Sequence, residues 1–91
     1  MTSTTAVVIG LGSIGTRHAR VLRELGHRVV TVSRREGSDY RSIAQAVADA
    51  HPDYAVIATE TARHADDLQE LAQAGFRGAV LAEKPDRKSV V

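Results

Sequence analysis

The chain has 91 residues, 43% of them hydrophobic and 25% charged, which is ordinary for one small globular domain and too apolar for a disordered tail. It has no cysteine, and its aromatic content is 3%, so a disulfide frame, a thiolate metal site and a base-stacking surface for single-stranded nucleic acid are all excluded. The net charge of +1 covers an asymmetry: residues 1–41 hold seven arginines against Glu24, Glu36 and Asp39, and residues 42–91 are net acidic. That basic first half suits an anionic partner such as a phosphate group, although a solvated, arginine-bearing helix face accounts for the same charge.

The first element in chain order is Ala6-Val7-Val8-Ile9. It is a continuous apolar run rich in β-branched residues, as in a strand buried on both faces of a parallel sheet. Gly10-Leu11-Gly12-Ser13-Ile14-Gly15 follows at once. This GxGxxG lies between a strand and a helix, the setting of a dinucleotide-binding loop. Gly10 would permit a tight turn, Gly12 would let backbone approach a pyrophosphate, and Gly15 would let helix and strand pack closely. The amides of Ser13, Ile14 and Gly15, at the positive end of the helix, would receive the phosphate charge. A helix is predicted from Ser13 to Leu25, with Ile14, Val21, Leu22 and Leu25 on one face and Gly26 after its end. His18 falls on that face and reads as a packed histidine.

The second strand is Val29-Val30-Thr31-Val32. An NAD site usually places an acid about 20 residues after the glycines, on the ribose 2′-hydroxyl. Here Ser33-Arg34-Arg35 stands at that place, with Arg34 lying 19 residues past Gly15. A guanidinium pairs with a 2′-phosphate and a hydroxyl adds a donor, so the pattern favours NADP over NAD. Ser38 or Asp39 is expected to cap a second helix carrying Ile43, Val47 and Ala50, which Pro52 stops.

The third strand is Tyr54-Ala55-Val56-Ile57-Ala58. Thr61 is expected to cap a third helix with Ala65, Leu68, Leu71 and Ala72 inward, and Asp66, Asp67 and Glu70 in its early turns, where acids favour the helix dipole. Ala79-Val80-Leu81-Ala82 is the fourth strand, and a short polar tail starts at Asp86. The strands begin every 23 to 25 residues, which leaves room for one helix per step. The α/β order βαβαβαβ then builds part of a doubly wound parallel sheet, four strands in the order 3-2-1-4, with its switch point between strands 1 and 4.

Three stretches together resemble the amino-terminal domain of the Gfo/Idh/MocA oxidoreductases. Gly10 through Gly15 with Thr16-Arg17-His18 matches the family's GxGxxGxxH. Ile57-Ala58-Thr59-Glu60-Thr61-Ala62-Arg63-His64 is similar to its ATPxxxH. Ala74-Gly75-Phe76 through Glu83-Lys84-Pro85 is similar to its AGKxVxxEKP. The resemblance implies a Rossmann-like fold and NAD(P)-dependent oxidation or reduction of sugars, polyols and related carbonyl compounds. It implies Thr59 and Thr61 beside the cofactor, Glu83 and Lys84 near the nicotinamide, and Lys84 as the catalytic lysine that contacts substrate. His64 falls in the first turn of the third helix, close to the cofactor crevice, where a dinucleotide contact and a structural role are both open. Glu60 departs from the family's proline and adds a negative charge near an anionic ligand.

The family's dinucleotide domain continues past EKP and is followed by a substrate domain. Residues 1–91 are therefore expected to form a single, incomplete NAD(P)-binding domain, inactive alone. Its fourth strand, an open edge, would pair with a second copy or a partner domain. Two other readings are a non-catalytic module that binds a nucleotide or a protein, and an S-adenosylmethionine-dependent methyltransferase fragment, which would want an acid where Arg34 stands. No metal-ligand spacing is visible among the histidines. No apolar run approaches the ~20 residues of a membrane helix, and Met1–Thr5 has no signal-peptide character. A cytoplasmic location is expected, with no membrane and no nucleic acid as partner.

Overall fold

The computed structural model describes residues 4–33, 37–59 and 61–82, and of Ser13 and Thr61 the backbone alone. Four parallel strands form one sheet: β1 (Thr5–Ile9), β2 (Arg28–Val32), β3 (Tyr54–Ile57) and β4 (Ala79–Ala82). Three helices connect them: α1 (Ser13–Glu24), α2 (Ile43–Ala50) and α3 (His64–Gln73), the last preceded by a 3-10 turn over Thr61–Arg63. This is the expected α/β Rossmann-like architecture.

The strand order corrects the expected one. It is β2-β1-β3-β4, so the 54–57 run lies beside β1 and not beyond β2. The reason is at Tyr40, which forms a single parallel bridge to Val32. Tyr40 N–H donates to the Thr31 carbonyl at 2.9 Å, and Ser33 N–H donates to the Tyr40 carbonyl at 3.2 Å. Among the described residues, Tyr40 alone thus holds the outer place beside β2 that a full strand takes in the six-stranded dinucleotide fold. The switch point consequently lies between β1 and β3.

Both faces of the inner strands are covered, because side chains alternate between them. Val7, Ile9, Val30, Val32, Ala55 and Ile57 pack with Ile43, Ala46 and Val47 of α2 and Leu71 of α3. Val8, Val29 and Val56 pack with Ala19 of α1, and Leu22 lies against them. A chain that steps one way from β1 to β2 and back across β1 to β3 must put α1 and α2 on opposite faces if both crossovers are right-handed.

Three details of the helices differ from expectation. In α1 the residues turned to the sheet are Gly15 and Ala19, while Val21 and Leu25 are exposed. The close approach of Gly15 to the strand-1 turn sets this roll. Ser42 caps α2, its Oγ accepting from Gln45 N–H at 3.1 Å, because Ser38 and Asp39 are engaged with the end of β2. In α3 the buried residues are Asp67 and Leu71, with Ala65, Leu68 and Ala72 exposed; i and i+4 share one face, and a side-chain bond from Asp67 described below sets which face that is. β4 is also more exposed than a continuous apolar run predicts, since it stands at the sheet edge with Val80 39% accessible.

Candidate functional site

The carboxyl ends of β1, β2 and β3 open on a cleft of about 460 Å³, lined among others by Gly10, Gly12, Ser33, Arg41, Thr59 and Asp67. Its floor is built by backbone geometry. Gly10 N–H donates to the Val32 carbonyl at 2.8 Å, and Ala58 N–H donates to the Ile9 carbonyl at 2.8 Å. The three strand ends are therefore tied together where β1 turns into α1. Gly10 makes that turn at φ +100°, in the left-handed region that glycine alone tolerates readily. A Cβ there would also stand 3.0 Å from Thr59 Cγ2.

Gly15 and Gly12 are glycines for different reasons. A Cβ on Gly15 would fall 1.9 Å from the Gly10 carbonyl oxygen, so α1 reaches the sheet only without a side chain there. A Cβ on Gly12 meets none of the described residues within 4 Å, and Gly12 has φ −70°, which any residue adopts. Among the described residues no packing contact asks for glycine at Gly12; what its small size leaves open is the approach to the cleft.

Gly12 is the N-cap of α1 and supplies no side-chain hydrogen bond, and no acid occupies the first turn. The first intrahelical bond runs from Thr16 N–H to the Gly12 carbonyl at 2.9 Å. The amides of Ser13, Ile14 and Gly15 precede it and face the positive end of the dipole. This arrangement suits an anionic group, and the residues present fit a dinucleotide pyrophosphate.

Thr59 is held on three sides. Its Oγ1 donates to Asp67 Oδ2 at 2.5 Å. Its carbonyl oxygen accepts from His64 Nε2 at 2.9 Å. Its methyl lies against the Gly10 turn. Because a carbonyl only accepts, Nε2 of His64 carries the proton.

Beyond β2 the segment is clasped by side chains. Asp39 Oδ2 accepts from Thr31 N–H at 2.9 Å and from Thr31 Oγ1 at 3.2 Å, and the one proton of Ser38 Oγ is shared between the carbonyls of Ser33 at 3.1 Å and Tyr40 at 3.0 Å. Tyr40 in turn donates its phenol to Asp49, and that bond holds its pKa above the ordinary value.

Among the residues singled out in the sequence, Gly10, Gly12, Ser33 and Thr59 line the cleft together, and Ile14 and Gly15 stand in the first turn of α1. His64 is half-buried beside Thr59 rather than among the lining residues. The backbone of Ser13 opens α1 and that of Thr61 opens the 3-10 turn. Arg34, Arg35, Glu60, Glu83, Lys84 and Pro85 lie outside the described residues. The cleft also brings in Arg41, Ser42 and Asp67, which the sequence reading did not place there. Asp67 could have been found from its spacing, four residues before the apolar Leu71 and hence on the inward face.

Residues 4–89 match the oxidoreductase family with an NAD-binding Rossmann fold, Gfo/Idh/MocA. The chain belongs to that family. As a Gfo/Idh/MocA domain it carries the family's dinucleotide fold, with the glycine loop at the switch between β1 and β3. No individual curated protein matches the sequence. Among solved structures it is similar to a DOX-P reductoisomerase crystallised with magnesium, at 17% identity and a TM-score of 0.41, over 90% of this chain and 20% of that one. The Gfo/Idh/MocA domain thus spans about a fifth of the length of that protein. No helix among its described residues is long and apolar enough to cross a membrane.

Proposed function

We propose that this domain binds NADP(H) across the crevice between β1 and β3, as the cofactor-binding portion of an oxidoreductase acting on a sugar, polyol or related carbonyl compound. The observation that carries the reading is the open approach at Gly12 in front of an uncapped helix mouth. A pyrophosphate there would be received by the amides of Ser13, Ile14 and Gly15 after the Gly10 turn. Ser33, Arg34 and Arg35 would take the 2′-phosphate, because guanidinium groups attract the charge that an acid would repel. Thr59, Thr61, His64 and Glu83 would flank the nicotinamide half. The bound dinucleotide supplies or accepts the hydride. Lys84 is the proposed catalytic group, its ammonium polarising a substrate carbonyl or lowering an alcohol's pKa.

Calorimetric titration with NADPH and NADH tests this. Saturable binding with NADPH the tighter ligand is expected, and Arg34→Ala should weaken NADPH by about 1–3 kcal/mol while leaving NADH nearly unchanged. Equal loss for both ligands contradicts the 2′-phosphate role, and no binding of either contradicts the reading as a whole. The exposed outer edge of β4 favours a second role, pairing with another copy of the chain or with a partner domain.

A further inference from the structure

The cleft contains a buried carboxylate for which the dinucleotide reading has no use. Asp67 is 5% accessible, lines the cleft, and sits where an apolar residue would be the ordinary partner of Leu71. Close to an expected pyrophosphate, a carboxylate is electrostatically unfavourable. Among the described residues its hydrogen-bond partner is Thr59, whose Oγ1 donates to it at 2.5 Å.

We propose that Asp67 is a positioning residue that fixes the polarity of Thr59, so that Thr59 recognises a hydrogen-bond donor on the ligand and not a phosphate oxygen. A threonine hydroxyl has one proton to give and two lone pairs. A carboxylate only accepts, so the bond to Asp67 consumes the proton. The hydroxyl cannot rotate that proton toward the cleft without leaving the buried carboxylate unpaired. Nor can the residue swing away, because His64 Nε2 holds its carbonyl at 2.9 Å and the Gly10 turn abuts its methyl. What remains for a ligand is an acceptor. On the dinucleotide reading, on which this inference rests, the matching donor is a hydroxyl of the nicotinamide-side ribose or the amide N–H of the nicotinamide. The pyrophosphate oxygens are served from the other side of the crevice, by the α1 amides.

Three ligands separate these groups. ADP carries the pyrophosphate alone, ADP-ribose adds the second ribose, and NADH adds the carboxamide. Calorimetry on the full chain compares each affinity with that of ADP, which cancels the general gain an anion makes when a nearby negative charge is removed. Asp67→Leu removes the acceptor with an apolar residue of similar volume, a change often tolerated at a buried ionic site. It should reduce the NADH-over-ADP advantage by about fivefold to tenfold, the scale of one hydrogen bond. Thr59→Val should do the same, and Thr59→Ser, which keeps the hydroxyl, should not. Loss shared by ADP-ribose assigns the donor to the ribose; loss confined to NADH assigns it to the carboxamide.

The inference is overturned if Thr59→Val lowers ADP and NADH affinity alike, or leaves the advantage intact. If Asp67→Leu does not fold, the valine and serine variants at Thr59 still decide between these outcomes. A wild-type chain that binds none of the three ligands overturns the dinucleotide reading itself, and this inference with it.

Discussion

Gly12 and Gly15 stand three residues apart in one loop, yet a single methyl group added to each should have opposite consequences. At Gly15 the methyl would sit 1.9 Å from the Gly10 carbonyl oxygen, and α1 would have to lift from the sheet. Gly15→Ala should cost about 1–3 kcal/mol or more, read from the urea midpoint. At Gly12 no described residue stands within 4 Å of the added methyl and φ is −70°. Gly12→Ala should leave the urea midpoint within about 0.5 kcal/mol of wild type and weaken NADH in titration. Loss of stability at Gly12 would mean that packing, not ligand approach, requires the glycine. Tyr40 offers a second test at the scale of one side chain. Its phenol donates to Asp49, and that bond keeps it protonated to a higher pH than in the unfolded chain. The stabilisation is therefore complete below about pH 10, where an unperturbed tyrosine titrates, and is lost as pH rises through the folded value. Tyr40→Phe should make the alkaline fall in stability shallower, followed by thermal melts between pH 8 and 11.

The clasp at the end of β2 is dense in side-chain bonds, made by Ser38 and Asp39. Thr31 is buried, and both its N–H and its hydroxyl end on Asp39. Asp39→Ala should destabilise by about 1–3 kcal/mol, because a buried amide loses its acceptor. Thr31→Val should cost less, since the amide of residue 31 keeps its partner, and the two urea midpoints compare directly. This clasp is also where reading the sequence reached its limit. Ser38 and Asp39 have the composition of a helix cap, and only their use on β2 moves the cap to Ser42. Strands β1, β2 and β3 were legible because burial on two faces writes itself as an unbroken apolar run. A one-residue bridge such as Tyr40 leaves no run to read, so the expected strand order omitted it. The spacing of Asp67 to Leu71 marks it as inward-facing, but an acid early in a helix also satisfies the dipole, and nothing in the pattern names Thr59 as its partner across the turn.

At the scale of the whole molecule, the sheet is covered unequally. α1 serves one face, α2 and α3 share the other, and β4 is left with Val80 accessible at the edge. Such an edge presents unpaired backbone groups and apolar side chains together. Sedimentation velocity should show association that grows with concentration, and Val80→Lys should suppress it without shifting the melting temperature by more than a few degrees. A wild-type chain that sediments as a monomer at all concentrations would contradict the pairing role. The glycine loop and the end of β2 were legible in the sequence because each follows directly on an apolar run, and Thr59 came from the family resemblance over 57–64. The cleft they share could not be found that way, since it depends on β3 crossing to the far side of β1.

The single rung at Tyr40 has a further consequence for how such a domain diversifies. A full third strand would lock its neighbours into a common register, and every exchange there would have to respect the pleat. Here one backbone rung and the Asp39 clasp anchor the ladder from outside the stretch 34–37. If that stretch reads the ribose, as proposed, its charges can be exchanged while Val32, Tyr40 and Asp39 keep the alignment of the scaffold.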